Sequence, residues 1–289
     1  MNDKKITPLR SRMREDLRLR NYSPRTEKTY LFHVSYFARW LGKSPATAGE
    51  EEIRKYLTYL RGEKQVSLSH FKQAVGALRF FTKYTLGKEW LKDRIPYPRQ
   101  SKTLPEVMSQ QEVVQLLEAV ENKRHRMVFE VMYGAGLRLM EALTLKVTDV
   151  DSKLMLLRVR AGKGARERAA LLSPLLLETL RKYYQAFHPK SFLFPGTRKE
   201  HIASTTIQRS FAIAAKKAGI RRKVCCHTLR HSFASHCLEN GTDVRIVQEL
   251  LGHKSLHSTL IYLHVTPKVF AKVPGTLDTL LSYSTPVVQ

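Results

Sequence analysis

Cysteine is scarce. Three residues in 289, two of them adjacent as Cys225 and Cys226, cannot form a disulfide framework, and their scarcity points to the reducing cytoplasm. Long apolar runs are missing too. Nothing approaches the ~20 residues of a membrane span, and the opening MNDKKITPLRSRMRE lacks the apolar stretch of a secretory signal. Repeats and low-complexity tracts are also absent. The most telling shortage is of negative charge: 25 Asp+Glu stand against 50 Lys+Arg, a formal charge of +25. An apolar content of 43% supplies real cores and excludes wholesale disorder.

The positive excess is spread along the chain. Residues 1–100 hold 22 basic and 10 acidic side chains, and the remainder holds 28 and 15. Both parts therefore face a polyanion. Nucleic acid is the expected partner, with an acidic membrane or ribosomal surface as the competing reading.

The N-terminal third reads as helices separated by breakers. Ser23-Pro24 is an N-cap followed by proline at the first helical position. Tyr30, Val34, Phe37 and Leu41 follow at helical spacing until Gly42. Thr47-Ala48-Gly49-Glu50 matches a capping box, with Ile53, Tyr56, Leu57 and Leu60 as the next apolar face. The spacing predicts a third helix from about Ser69 to Thr85. It gathers Phe71, Ala74, Val75, Leu78 and Phe81 on one face and Lys72, Arg79 and Lys83, within about 40°, on another. That basic stripe is a candidate DNA contact; a solvated charged face is the plain alternative.

RIPYPRQSKTLP, residues 94–105, has three prolines and no apolar period, so it reads as a linker. A second capping box, Ser109-Gln110-Gln111-Glu112, opens the next domain. LMLLRVR then alternates, with Met155, Leu157 and Val159 on one face, and RERAALL follows a Gly-Lys-Gly tip, which predicts a β-hairpin. Helical patterns resume after Ser173-Pro174 and run to about residue 264.

Chemistry-bearing residues are scattered through this second part: Arg138 in GAGLRLMEAL, Lys163 at the hairpin tip, His227, Arg230 and His231 in HTLRH, His253 in LLGH and Tyr262 in STLIYLH. Singly, each has a structural reading. Arg138 could pair with Glu141, Lys163 could be solvated, Tyr262 could be core, and His227 with His231 at i, i+4 could hold a metal. Together they make a phosphodiester site. Two guanidiniums can grip non-bridging oxygens, imidazoles can move protons, an ammonium can protonate a leaving alkoxide, and a phenol beside cations can act as nucleophile.

This ordered set resembles the tyrosine recombinases, the phage-integrase family, and is most similar to its Xer-like and integron-integrase branch. GLRxxE, a hairpin lysine in GKGxxER, HxLRH, LGH and a tyrosine nine residues on read here as Arg138, Lys163, His227 with Arg230, His253 and Tyr262. The resemblance spans nearly the whole chain. It implies a mainly α fold with a small antiparallel β-sheet, a two-domain C-shaped DNA clamp. Residues 1–93 would be a helical, SAM-like core-binding domain, 94–106 a linker, 107–273 an α+β catalytic domain and 274–289 a tail. Leu277, Leu280 and Leu281 on that tail would dock on a neighbouring protomer.

The resemblance further implies a reaction with no metal, cofactor or ATP. Tyr262 attacks a DNA phosphate, forms a 3′-phosphotyrosyl bond and releases a 5′-hydroxyl. Arg138 and Arg230 clamp the phosphate, Lys163 protonates the leaving oxygen, His227 assists proton transfer from Tyr262, and His253 bonds a non-bridging oxygen. Partners would be double-stranded recombination sites and three further copies in a tetramer, with no membrane. Departures from the pattern are Ser235, Cys237 and Leu263, none catalytic. The interval from Lys163 to His227 is too short for the extra helix of integron integrases, which favours ordinary duplex sites. Three other readings stand beside this one: a type IB topoisomerase, a non-catalytic DNA-binding regulator, and a zinc protein using Cys225, Cys226, His227 and His231. The last has no ordinary finger spacing.

Overall fold

The structure, a computed structural model, describes residues 7–95, 97–98, 104–160, 167–196 and 200–263. The chain divides into two compact units, 1–102 and 103–289.

The first unit is helical: α1 (Pro8–Leu19), α2 (Pro24–Leu41), α3 (Glu50–Gly62), α4 (Leu68–Phe80) and α5 (Glu89–Arg94). Local chemistry sets the ends. Ser23 Oγ accepts from the Thr26 amide at 3.1 Å, Pro24 opens α2, and Gly42 closes it at φ 71°. The expected capping box at Thr47 lies elsewhere. Pro45–Thr47 forms a 3₁₀ turn, Gly49 is the N-cap, and Glu52 accepts the Gly49 amide at 2.7 Å. The proline turn uses up Thr47, so the box moves two residues on. The third helix changes pitch at Phe81, where α4 passes into a π turn, Phe81–Thr85. Two apolar clusters hold the unit: Phe37, Ile53, Tyr56 and Leu78 in one, Met13, Leu17, Leu31 and Phe80 in the other.

The second unit contains α6 (Gln110–Glu118), α7 (Lys123–Gly134), α8 (Leu139–Thr144), β1 (Val150–Asp151), β2 (Leu156–Val159), β3 (Arg168–Leu171), α9 (Pro174–Phe187), α10 (Ser204–Lys217), α11 (Cys226–Glu239), α12 (Val244–Leu251) and α13 (His257–Leu260). The strands form one antiparallel sheet in order β1-β2-β3, with Leu157 opposite Ala170 and Val159 opposite Arg168. Leu157 and Val159 face the core as expected. Met155 instead precedes the strand at φ 54°, in the turn that brings in the unforeseen β1. The Ser109 box forms as expected, Glu112 accepting the Ser109 amide at 2.7 Å.

Helix α11 runs through the middle of this unit, buried nearly all round from Cys226 to Leu238. It packs on α7 and α12. Its hydrophobic period is consequently weak, and its polar side chains must find partners inside. Ser232 Oγ, for example, accepts the Met108 amide at 2.9 Å. Among the described residues no helix is long and apolar enough to cross a membrane.

Candidate active site

Three segments build the site: the α7–α8 turn, the N-terminal half of α11, and the stretch from the end of α12 through Tyr262. The α7–α8 turn reverses at Gly136, φ 62°, with the Phe233 ring against its Cα where a side chain would sit. Arg138 is then the N-cap of α8. Glu141, one turn later, accepts both the Arg138 amide at 2.8 Å and its guanidinium at 2.7 Å.

Glu141 is the electrostatic centre. Arg168, from β3, bonds the same carboxylate at 2.8 Å, and Arg230 lies 3.6 Å from it. Arg230 is 1% exposed. Its charge is tolerated because it donates to the Gly136 carbonyl at 2.6 Å and to the Leu251 carbonyl. Burial pushes the Glu141 carboxyl up, yet the Arg138 amide and the Arg168 and Arg138 guanidiniums outweigh it and hold it below the ordinary range. Three guanidiniums thus share one carboxylate. That leaves the pocket net positive and suited to an oxyanion.

Arg168 also donates to the Leu250 carbonyl at the end of α12. There Gly252 terminates the helix at φ 63°, and a Cβ on it would overlap Arg168 Cδ. Gly252→Ala should therefore destabilise the protein by about 1–3 kcal/mol, from backbone strain and displacement of a guanidinium held at both ends. Urea unfolding reads this directly; a midpoint equal to wild type would mean that Arg168 moves aside freely.

His253 follows the glycine. Its Nδ1 meets Thr259 Oγ1 at 2.9 Å, and Thr259 is fully buried. Tyr262, one turn beyond α13, is 2% exposed among Phe233, Val247 and Leu251. Its hydroxyl lies 2.9 Å from His231 Nδ1, and its ring stacks 6.3 Å from that of His253. Burial raises the phenol pKa, and Arg230 and Arg138 work against that rise. The same surroundings keep the imidazoles neutral. Burial first, then arginine charge, pushes His253 down to about 4, and His227 is lowered for the same reasons.

The structure thus brings Arg138, His227, Arg230, His253 and Tyr262 into one cluster. Lys163 lies outside the described residues. Lys72, Arg79 and Lys83 belong to the first unit. There Arg79 donates to the Ile95 carbonyl at 3.2 Å and lies over the Tyr97 ring, and Lys83 pairs with Glu89 at 3.4 Å. Among the described residues no three His, Cys, Asp or Glu side chains gather as metal ligands.

Comparison with known proteins decides the family. The phage integrase family matches residues 106–268, and the phage integrase N-terminal SAM-like domain matches residues 9–92. A putative integrase/recombinase, y4qK, of Sinorhizobium fredii is 44% identical over 92% of this chain and 87% of its own length. The tyrosine recombinase XerA of Pyrococcus furiosus is 36% identical over 90% and 92%. The chain belongs to the phage integrase family of tyrosine recombinases.

Solved structures of tyrosine recombinases share the fold. XerH bound to a palindromic difH substrate, in a post-cleavage complex, superposes with a TM-score of 0.72 at 24% identity, covering 90% of this chain and 82% of that one. The lambda integrase tetramer on a Holliday junction gives 0.71 at 20%, covering 86% and 76%. In this phage integrase, sequence reasoning named the side chains expected to meet the phosphate and missed those that hold them. Glu141 was read only as a structural partner of Arg138, which it is, and Arg168 stood in the string GKGxxER without a role. His231 stood among the chemistry-bearing residues, but its one specific role was as a metal partner of His227. Thr259 gave no signal, since a threonine six residues after a histidine has no chemical signature.

Proposed function

We infer that this chain is a site-specific DNA recombinase that cuts and rejoins duplex DNA with Tyr262 as nucleophile. The observation that carries the reading is the cluster in which Tyr262, beside His231 and His253, feels the charge of Arg230 and Arg138 held on Glu141. A phosphate entering it meets Arg138 and Arg230, bonds His253, and is attacked by Tyr262 to give a 3′-phosphotyrosyl bond. Lys163 protonates the departing 5′-oxygen. The phosphotyrosine conserves the bond energy, so a 5′-hydroxyl from another duplex rejoins the strand without ATP, metal or cofactor.

The matched relatives and the DNA-bound neighbours support duplex recombination sites as substrate and a tetramer as the working assembly. On this reading residues 1–93 form the core-binding domain, 107–273 the catalytic domain, and 274–289 a segment that docks on the next protomer. Lys72, Arg79 and Lys83 contact the backbone; Arg79 commits one guanidinium nitrogen to Ile95 and keeps others for phosphate. The enzyme acts in the cytoplasm.

The test is covalent capture. Wild-type protein is incubated, in a chelator, with supercoiled plasmid and with nicked duplexes of randomised sequence, then denatured. A DNA adduct mapping to Tyr262, on duplexes that share a recovered sequence, is expected. Attachment at any sequence, with plasmid relaxation, would make it a topoisomerase instead. Absence of any adduct from both pools would overturn the enzymatic reading.

A further inference from the structure

We propose that His231, rather than His227, takes the proton from the Tyr262 hydroxyl. The inference rests on the recombinase reading above and assigns one step within it. The family resemblance gives that assistance to His227, and the geometry gives the contact to its neighbour one turn along α11. His231 Nδ1 stands 2.9 Å from Tyr262 Oη. The His227 ring meets the His231 ring edge-on at 4.6 Å, one ring further from the phenol. Residues 227, 230 and 231 fall at i, i+3 and i+4, on one helix face. The two histidine rings touch each other, and Arg230 flanks them on the same face.

The surroundings keep His231 unprotonated, as a base must be before it acts. Every group facing His231 works against its protonation. Burial comes first, then His227 and Arg230 on its own helix and His253 from the segment after α12, and together they hold it at about 4. In the tautomer with its proton on Nε2, a neutral imidazole accepts at Nδ1 and the phenol donates; proton transfer to His231 requires this tautomer. A base suppressed in the free enzyme becomes stronger when a phosphate enters, because the anion offsets the arginine charge that suppressed it. The proton is then taken as charge develops, which is when it helps.

The step balances. The Tyr262 Oη–P bond forms and the P–O5′ bond breaks. The phenol proton passes to His231 Nδ1, giving an imidazolium, and the Lys163 ammonium supplies the proton that the 5′-oxygen takes. In rejoining, the incoming 5′-hydroxyl returns a proton to Lys163, and the imidazolium returns its own to the departing phenolate. His227 is left to the non-bridging oxygens beside Arg138 and Arg230.

Two measurements test this. The first needs no DNA: ¹⁵N spectra of histidine-labelled protein, wild type against Tyr262→Phe. One histidine, identified by its absence in His231→Asn, should show an unprotonated Nδ1 whose shift moves when the hydroxyl is removed. If no histidine responds to Tyr262→Phe, the contact does not exist and the proposal fails. The second uses a nicked duplex recovered by wild-type capture, made with oxygen or with sulfur at the 5′-bridging position of the cleaved bond. Sulfur leaves without needing an acid.

His231→Asn keeps an acceptor near the Nδ1 position but no base. It should slow adduct formation about a hundredfold on both substrates and abolish the acid limb of the rate profile. Lys163→Ala should be restored by sulfur, and His227→Asn should keep the acid limb. Wild-type attachment with an unchanged His231→Asn rate, or rescue of His231→Asn by sulfur, would remove the proton transfer alone. A wild type that shows the spectral contact yet never attaches to DNA would remove the recombinase reading and the proton transfer with it.

Discussion

Tyr262→Phe should eliminate the covalent DNA adduct while leaving a folded protein that still binds DNA. The two effects separate because the ring and the hydroxyl do different work. The ring is buried against Phe233, Val247 and Leu251, and phenylalanine fills that space. The bond to His231 Nδ1 is lost, at a cost of about 1 kcal/mol. The hydroxyl oxygen, however, is the atom that would bond to phosphorus, and no other side chain of the pocket replaces it. His253 lies a stacked ring away, and His231 is placed on the hydroxyl oxygen itself. Adduct formation should fall to background in a denaturing gel, while the unfolding midpoint and DNA retention in a mobility assay stay near wild type. An adduct that persists in Tyr262→Phe would mean that another residue is the nucleophile.

Much of this fold was legible because its signals are local. Ser23 with Pro24 and Ser109 with Glu112 are complete capping instructions in four or five residues, and both operate as read. The apolar face Ile53, Tyr56, Leu57 and Leu60 is buried as its spacing requires. Where reading failed, two local rules competed. Thr47 offered a capping box, but Pro45 had already set a 3₁₀ turn. Met155 does pack on the same core as Leu157 and Val159, but from a left-handed turn before the strand rather than from within it, so that β1 can pair with β2.

The site divides along a different line. Arg138, His227, Arg230, His253 and Tyr262 were legible because their chemistry is unusual in combination and their order matches a known family. Of their supports, only Glu141 was read, as the neighbour of Arg138 three residues on; the others are defined by a distance across the fold. Arg168 reaches from the sheet to the end of α12 and to Glu141, a relation that no spacing encodes. His231 was visible as a histidine at i+4 from His227, which pointed to metal chemistry. Only the approach of Tyr262 from 31 residues away gives it a different partner. The glycines show the same logic. Gly136 and Gly252 read as helix punctuation, while their neighbours Phe233 and Arg168 show that both also keep space clear at the pocket.

Glu141→Gln tests whether one carboxylate holds the arginine cluster together, and it should be the most damaging substitution for stability in the pocket. Glutamine preserves the shape and can still accept hydrogen bonds, so packing is not the issue; the change removes the negative charge bonded to Arg138 and Arg168 and facing Arg230 at 3.6 Å. Arg230 is buried and the Arg168 side chain is 12% exposed, so water cannot replace the lost charge. Removing one partner of a buried ion pair costs about 3–5 kcal/mol. With Glu141 itself 18% exposed, about 3 kcal/mol is expected at neutral pH. Acid should narrow the gap. The folded protein holds the Glu141 carboxyl below its ordinary range. Its contribution is therefore complete above the ordinary carboxylate pKa and lost as pH falls through the folded value, and the glutamine variant has no such limb. Anions should narrow it too. A sulfate in the pocket would take the place of the carboxylate, so replacing chloride by sulfate at equal ionic strength should stabilise Glu141→Gln more than wild type. General salting-out acts on both proteins and cancels in that difference. A variant within 0.5 kcal/mol of wild type at neutral pH, or a gap unchanged by both acid and sulfate, would show that the guanidiniums hold their places through the Gly136, Leu250 and Leu251 carbonyls alone.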